Sequence, residues 1–402
     1  MKNAGSRLSI KRAKTCIALL ATSVSPGAWA ELTYSSQKAS VTFYGVVDVA
    51  YAYVSNRDGH ADNTYMAQSN LLANKLGLSG TYDFNENTQA LARAETNLDV
   101  RKGKLGAPGV FLNRQAFAGI SDKRYGTLTM GRQYTPYFQY VGGQGPANVL
   151  TGATGTHPGD IIAMDTTLRL TNAFTYASPK IRDWQGSVQY GLARRIGNGW
   201  NGGSLSAAVR YDHEGFAWSA GYVQLNKLAT TSAVATFAMN APINRGYASA
   251  DNAKLLGTAA RYRFGKKMVG LNYANIRYAP GPASLFTDTA VFNSYGIISN
   301  YALTPAMTLA AGYSYTAEAA CNGLSSLARY QQLSLEQLYV LNEYVALYAL
   351  QAYQKASGKT LRTIGGVSTI VDATASVGDS QNGMPSSGPS QGVAMLGVRF
   401  KF

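Results

Sequence analysis

The sequence is short of cysteine, histidine, proline and charge, and each shortage excludes something. It has two cysteines, Cys16 and Cys321, and the first falls in a segment expected to be removed. One remaining thiol allows no internal disulfide, so an exported chain of this kind is not held by bridges. His60, His157 and His213 stand far apart with no ligand spacing, which argues against a metal site. No phosphate-binding G-x-x-x-x-G-K-S/T loop and no strand-opening G-x-G-x-x-G occurs. A Ser/His/Asp set cannot be assigned either, so no catalytic residue, cofactor or enzymatic activity is expected. Beyond residue 30 no run of roughly 18 apolar residues exists to cross a bilayer as a helix. The formal charge is +15. The bases are scattered singly, however, and no Lys/Arg-rich block follows residue 30, so a nucleic-acid partner is not expected.

The first thirty residues read as a secretory signal peptide. Lys2, Arg7, Lys11, Arg12 and Lys14 make a basic start without acids, Cys16 to Val24 is a short apolar run, and Ala28-Trp29-Ala30 is a small-x-small cleavage site. The mature chain is expected to begin at Glu31 and to carry a charge of about +10. Its 42 glycines and 27 tyrosines, against only 14% charged residues, suit strands with one face in lipid and aromatic rings at the interfaces.

Alternation with period two is the main signal. It recurs at about 39–54, 71–84, 86–98, 111–122, 125–134, 168–178, 184–194 and 203–213. Further segments lie at about 215–226, 252–264, 266–280, 289–302, 304–317, 327–340, 342–355 and 391–402. That makes sixteen candidate strands, with the alternation weakest between 215 and 317. The connections alternate between long and short. An up-and-down barrel with an even strand count, short periplasmic turns and long outer loops has this rhythm. A soluble sandwich has no reason to lengthen every second loop.

Residues 328–354 are ambiguous, because their Leu, Gln and Glu also suit a helix. They are read as a hairpin because closure needs two strands there. Residues 356–390 show no period and read as a mobile outer loop. At the end, Ala394, Leu396, Val398, Phe400 and Phe402 share one face, and Val393, Met395, Gly397, Arg399 and Lys401 the other. The first face suits lipid, and the two cations of the second do not.

The stretch 135–167 stands out. It is long for a connection without a period of its own. It contains Asp160 and Asp165 but no Lys or Arg. Set between amphipathic strands, it reads as a loop that folds into the barrel and narrows a water-filled bore.

Several segments resemble one family. They are SVTFYGVVDVAY (40–51), NKLGLSG (74–80), ALARAETNL (90–98), FLNRQAFAGISDKRYGTLTMGRQYTP (111–136), RLTNAFTYASP (169–179) and GVRFKF (397–402). Together they are similar to trimeric general porins of the Gram-negative outer membrane, of beta-proteobacterial type. The resemblance implies an all-β transmembrane antiparallel barrel of 16 strands, spanning 31–402. It also implies a homotrimer, an inward-folded third outer loop, and passive diffusion of small hydrophilic solutes and ions. Two features depart from the pattern: Lys75 stands where arginine is usual, and the loop is less acidic.

By the same resemblance Lys75, Arg114 and Arg169 form a basic wall opposite the loop. Physically, each is a cation within an amphipathic strand, costing roughly 2–4 kcal/mol if it faced lipid at the midplane. Asp160 and Asp165 are the candidate loop acids. Arg93 and Glu95 share a lumen face and read as a local ion pair, while Arg132 braces the base of the loop. Tyr137, Phe138 and Tyr140 either pack the loop on the wall or stand at the mouth. Three wall cations against two loop acids predict a mild anion preference. Outer-membrane lipid is an expected partner, as is the assembly machinery through Phe402. Two rival readings are a solute-specific channel with ligands stacked on Tyr134, Tyr137 and Tyr140, and a soluble glycan-binding sandwich.

Overall fold

The computed structural model describes residues 32–57, 63–106, 109–149, 153–155, 157–165, 168–192, 203–226, 235–236, 241–378 and 385–402. The expected leader and His60 lie outside them. Sixteen strands form the wall. The first eight are β1 (Ala39–Val54), β2 (Lys75–Asp83), β3 (Thr88–Asp99), β4 (Gln115–Asp122), β5 (Gly126–Tyr134), β6 (Arg169–Ala177), β7 (Trp184–Gly191) and β8 (Ser204–His213). The second eight are β9 (Phe216–Asn226), β10 (Asn252–Phe264), β11 (Lys267–Ala279), β12 (Ala290–Ala302), β13 (Met307–Glu318), β14 (Arg329–Val340), β15 (Val345–Ser357) and β16 (Ser390–Lys401).

Each strand is antiparallel to the next, and β16 pairs with β1 from Val46↔Lys401 to Val54↔Val393. The cylinder is therefore closed, which removes the unpaired edges a membrane would not tolerate. The last residue helps, since Phe402 and Gly45 exchange backbone hydrogen bonds.

Parity decides what faces lipid. Tyr51, Leu78, Leu128, Leu271, Ile297, Leu333 and Leu396 all project outward and are exposed. On the ambiguous hairpin, Leu333 and Leu335 point out while Gln332, Ser334 and Glu336 are buried inside. Helical propensity loses there because β13 and β16 supply ladder partners on both sides of the pair.

Three details depart from the alternation. Residues 64–68 pair with the upper half of β1 and Lys75 onward with its lower half, so residues 69–74 leave the ladder. Asp48, fully buried on β1, accepts hydrogen bonds from the backbone N–H groups of Asn70 (3.2 Å), Leu71 (2.9 Å) and Leu72 (2.9 Å), and from Tyr348 Oη (2.5 Å). One carboxylate thereby satisfies a bulge that would otherwise bury unpaired donors. The second departure corrects an expectation. Residues 356–390 are not a structureless loop, because Lys359–Ile364 and Val367–Asp372 form a hairpin. Gly365 and Gly366 take φ of 58° and 81° at its turn, and β-branched residues flank them, which is a two-residue hairpin signal. The third is inside the bore, where the loop after β5 buries an apolar face. Tyr137, Val141, Ile161 and Met164 pack on Val223 of β9, Leu255 of β10, Ile276 of β11 and Phe292 of β12.

Candidate pore constriction

The loop leaves β5 through a short helix, α1 (Pro136–Tyr140), whose N-cap Thr135 accepts from the Phe138 N–H. It then crosses the bore and is held by inner-wall side chains at each stage. Tyr137 N–H donates to Ser206 Oγ on β8 (3.2 Å) and its hydroxyl to the Ile162 carbonyl (2.9 Å). The Thr154 carbonyl accepts from Gln332 Nε2 (2.8 Å) and Ser334 Oγ (2.5 Å) on β14. Ala153 N–H reaches the Asn70 carbonyl at 2.7 Å, on the bulge that Asp48 secures. Two wall glycines make room: a Cβ at Gly257 would lie 2.4 Å from Tyr137 Oη, and one at Gly296 would lie 2.7 Å from His157 Nε2.

His157 is wholly buried between β11 and β12. Its Nδ1 lies 2.5 Å from Ser294 Oγ, and its Nε2 lies 3.1 Å from Asn272 Nδ2. Burial pushes its pKa down to about 4, against a smaller opposing effect of the Asn272 hydrogen bond. An undocked, solvated His157 titrates near 6.5. The docked loop therefore binds fewer protons between those values. Docking is intact above about pH 6.5 and loses up to roughly 3 kcal/mol as pH falls toward 4. Single-channel records are expected to become noisier between pH 6.5 and 4.5, and His157→Asn to flatten that dependence. Equal noise at both pH values in the wild type would remove His157 from loop docking.

The wall facing the first part of the loop carries the charge. Glu95 on β3 is 2% exposed and receives three partners. Arg114 Nε donates to its Oε1 at 2.6 Å, Lys75 Nζ lies 3.6 Å from its Oε2, and the Tyr44 hydroxyl donates to Oε2 at 3.0 Å. Arg114 also donates from Nη2 to Tyr134 Oη (2.6 Å), which accepts from Arg169 Nη2 as well (3.1 Å). The Arg169 guanidinium lies 4.6 Å over the Tyr134 ring. Arg132 donates to the Asn113 carbonyl (2.8 Å) and to Thr171 Oγ1 (2.6 Å), tying the loop's base to its neighbours. Its field and that of Arg169 oppose each other.

So Lys75, Glu95, Arg114 and Arg169 come together in one cluster, joined through Tyr134. Arg114 and Arg169 are buried, whereas Lys75 keeps 28% of its side-chain surface open. Of the loop acids, Asp165 acts electrostatically on Arg114. Asp160 is tied into the loop itself: its Oδ1 accepts from the Met164 and Asp165 N–H groups (3.1 Å each), and its field acts on Tyr137 and Tyr278. Arg93 is exposed on the lumen face, and Glu95 pairs with Arg114 and Lys75 rather than with this i−2 neighbour. The structural reason is reach. Cross-strand positions on β2 and β4 sit beside Glu95 (Gly77↔Glu95, Glu95↔Gln115) and bring longer side chains to it from both sides.

The aromatic residues of the loop pack rather than wait at the mouth. Tyr137 is fully buried, Phe138 lies against Tyr134 with ring centroids 4.8 Å apart, and Tyr140 lies under Arg210. Tyr44 and Asp48 escaped the sequence reading as site residues. Asp48 had a signal, being the one acid in an otherwise apolar alternating strand.

A family model described as Gram-negative porin matches residues 15–358. An outer membrane porin protein of Bordetella pertussis is 25% identical over 278 residues, which are 66% of this chain and 61% of that protein. Among solved structures, the anion-selective porin from Comamonas acidovorans superposes with a TM-score of 0.69 at 20% identity, over 91% of this chain and all of that one. Vibrio cholerae OmpT in its trimer form gives 0.64 at 15% identity, over 91% of this chain and 100% of that one. A closed sixteen-stranded barrel, an inward loop held from wall to wall, and a family match over most of the length lead to one conclusion: the chain belongs to the Gram-negative porin family.

Proposed function

We propose that this outer-membrane porin is a water-filled channel for passive diffusion of small hydrophilic solutes and ions, with a mild preference for anions. The observation that carries the preference is the excess of cations at the constriction. Lys75, Arg114, Arg132 and Arg169 are answered there by Glu95 and, at longer range, Asp165. A narrow bore lined by one sign of charge concentrates the opposite ion. A neighbour in fold, the Comamonas acidovorans protein, is described as anion-selective. The test is the reversal potential across a planar bilayer in a potassium chloride gradient. Chloride-favouring reversal is expected, and a cation-favouring one would overturn the preference.

A general pore fits better than a saturable solute site. The rings that would stack a ligand are taken: Tyr134 by Arg169, Tyr140 by Arg210, and Tyr137 by the wall itself. The working unit in this reading is a homotrimer, as in the trimer form of Vibrio cholerae OmpT. Residues 1–30 act as a cleaved leader, 135–167 as the constriction loop, and Phe402 as the handle for the assembly machinery.

A further inference from the structure

The outer wall carries a feature that the channel does not use. Lys254 on β10 and Arg277 on β11 are direct register partners, and both side chains are exposed on the lipid-facing side. Like charges placed opposite each other across a ladder destabilise it unless an anion answers them. Among the described residues no carboxylate lies within ion-pair distance of either. The pair sits at the long-loop end of its strands, which is the extracellular end of such a barrel.

Register fixes its height. One step toward the membrane lie Asn275 and its partner Asn293, and one step further Tyr273 and Tyr295, with ring centroids 5.1 Å apart. Paired outward tyrosines of this kind fit the aromatic belt that such a barrel carries at the membrane surface. The cations thus stand just above the belt, at headgroup level. Arg277 is oriented for this position. Its Nε donates to Asn275 Oδ1 (2.9 Å), and Asn275 Nδ2 and the Tyr273 hydroxyl both donate to Asn293 Oδ1 (2.9 Å each). The chain of bonds holds the guanidinium by its inner edge and leaves its two terminal nitrogens without a partner among the described residues. On β14 and β15, Arg329 and Lys355 occupy outward positions at the same end, and the outward positions there on β9 to β15 include no Asp or Glu.

We propose that Lys254 and Arg277 form a binding site for the phosphate groups of the anionic glycolipid in the outer leaflet, with Arg277 as the bidentate donor and Lys254 as the second charge. Guanidinium forks match phosphate oxygens in geometry as well as in sign. A second copy of the chain is the weaker occupant, because the outward positions at this end of β9 to β15 would bring no acid to the row. The seam lined by Val49, Tyr51, Met66, Leu347, Leu396 and Val398 offers it an apolar surface instead.

The test is native mass spectrometry of the delipidated full-length porin titrated with bis-phosphorylated lipid A, and separately with lipid A whose phosphates have been removed. The variant is Lys254→Gln with Arg277→Gln, and heat-modifiable migration checks that it folds. The expected result is preferential binding of the phosphorylated lipid and at least about a tenfold loss of that binding in the variant. Single-channel conductance should be unchanged, since both residues lie outside the bore. Equal binding of the two lipids, or unchanged binding by the folded variant, would overturn the site. Competition by inorganic phosphate at the lipid's own concentration would make it a free-anion site and overturn the lipid assignment. Loss of the trimer with lipid binding intact would assign the pair to a subunit contact instead.

Discussion

Replacing Arg114 with serine is expected to shift the reversal potential toward cations and to weaken the barrel. Both effects have one cause. Arg114 and Glu95 form a buried ion pair at 2.6 Å, and removing one member leaves the other charge buried without its main partner. Breaking such a pair costs about 3–5 kcal/mol. Lys75 at 3.6 Å and the Tyr44 hydroxyl remain beside Glu95, so the lower end of that range applies. The carboxylate then acts with less compensation on ions in the bore. Tyr134 also loses one of the two donors that hold it between Arg114 and Arg169.

Glu95→Gln should act in the opposite sense. It leaves Lys75, Arg114, Arg132 and Arg169 with Asp165 at longer range and raises anion preference. The double variant should return toward the wild-type reversal potential, with a coupling energy well outside additivity because the two groups touch. Reversal potentials in a salt gradient and the temperature of heat-modifiable migration measure the two effects separately. If Arg114→Ser left selectivity unchanged while lowering that temperature, Arg114 would be a structural residue and Lys75 the main source of the field.

Asp48→Ala is expected to loosen the constriction from a distance. Three backbone N–H groups and the Tyr348 hydroxyl converge on this carboxylate. Each buried donor left unsatisfied costs about 1–3 kcal/mol, so the bulge at 69–74 should relax toward water in the bore. Its Asn70 carbonyl holds Ala153, near the far end of the loop's crossing. Losing that anchor shifts more of the hold on this segment to Gln332 and Ser334, which bond the Thr154 carbonyl. Mean conductance and open-channel noise should both rise. Asp48→Asn, which keeps one acceptor oxygen, should show a smaller effect. Removing Gln332 as well should give more than the sum of the two changes, since both anchors serve one segment. A folded Asp48→Ala channel with wild-type noise would show that the bulge does not position the loop.

The contrast between these two sites marks how far the linear chain could be read. Arg114 and Arg169 stood out because a cation in an alternating strand has one tolerable side. That argument needs only parity and the cost of charge in lipid. Parity also placed Glu95 in the lumen. It did not select Arg114 over Arg93 as its partner, because that choice depends on which strands lie beside β3 and in what register. Asp160 shows the same limit. An acid in a loop that narrows a bore looks like part of the bore, but the loop's own turn claims its oxygen.

The weak alternation between residues 215 and 317 has a physical explanation. On β9 to β12 the outward residues meet lipid and the inward ones meet the apolar side of the loop, so both faces are hydrophobic and period two fades. The hairpin inside 356–390 went unseen for want of length, although its Gly365-Gly366 turn was legible.

By itself the sequence determined the closed barrel, the strand count and the lipid face. These follow from local alternation and from the need of every strand to be paired in a membrane. Only the tertiary structure decided where the loop is fastened, which cation answers Glu95, and that Lys254 and Arg277 meet on the outer wall. Those are contacts between residues far apart in the chain, and ladder register, which no local pattern encodes, brings them within bonding distance.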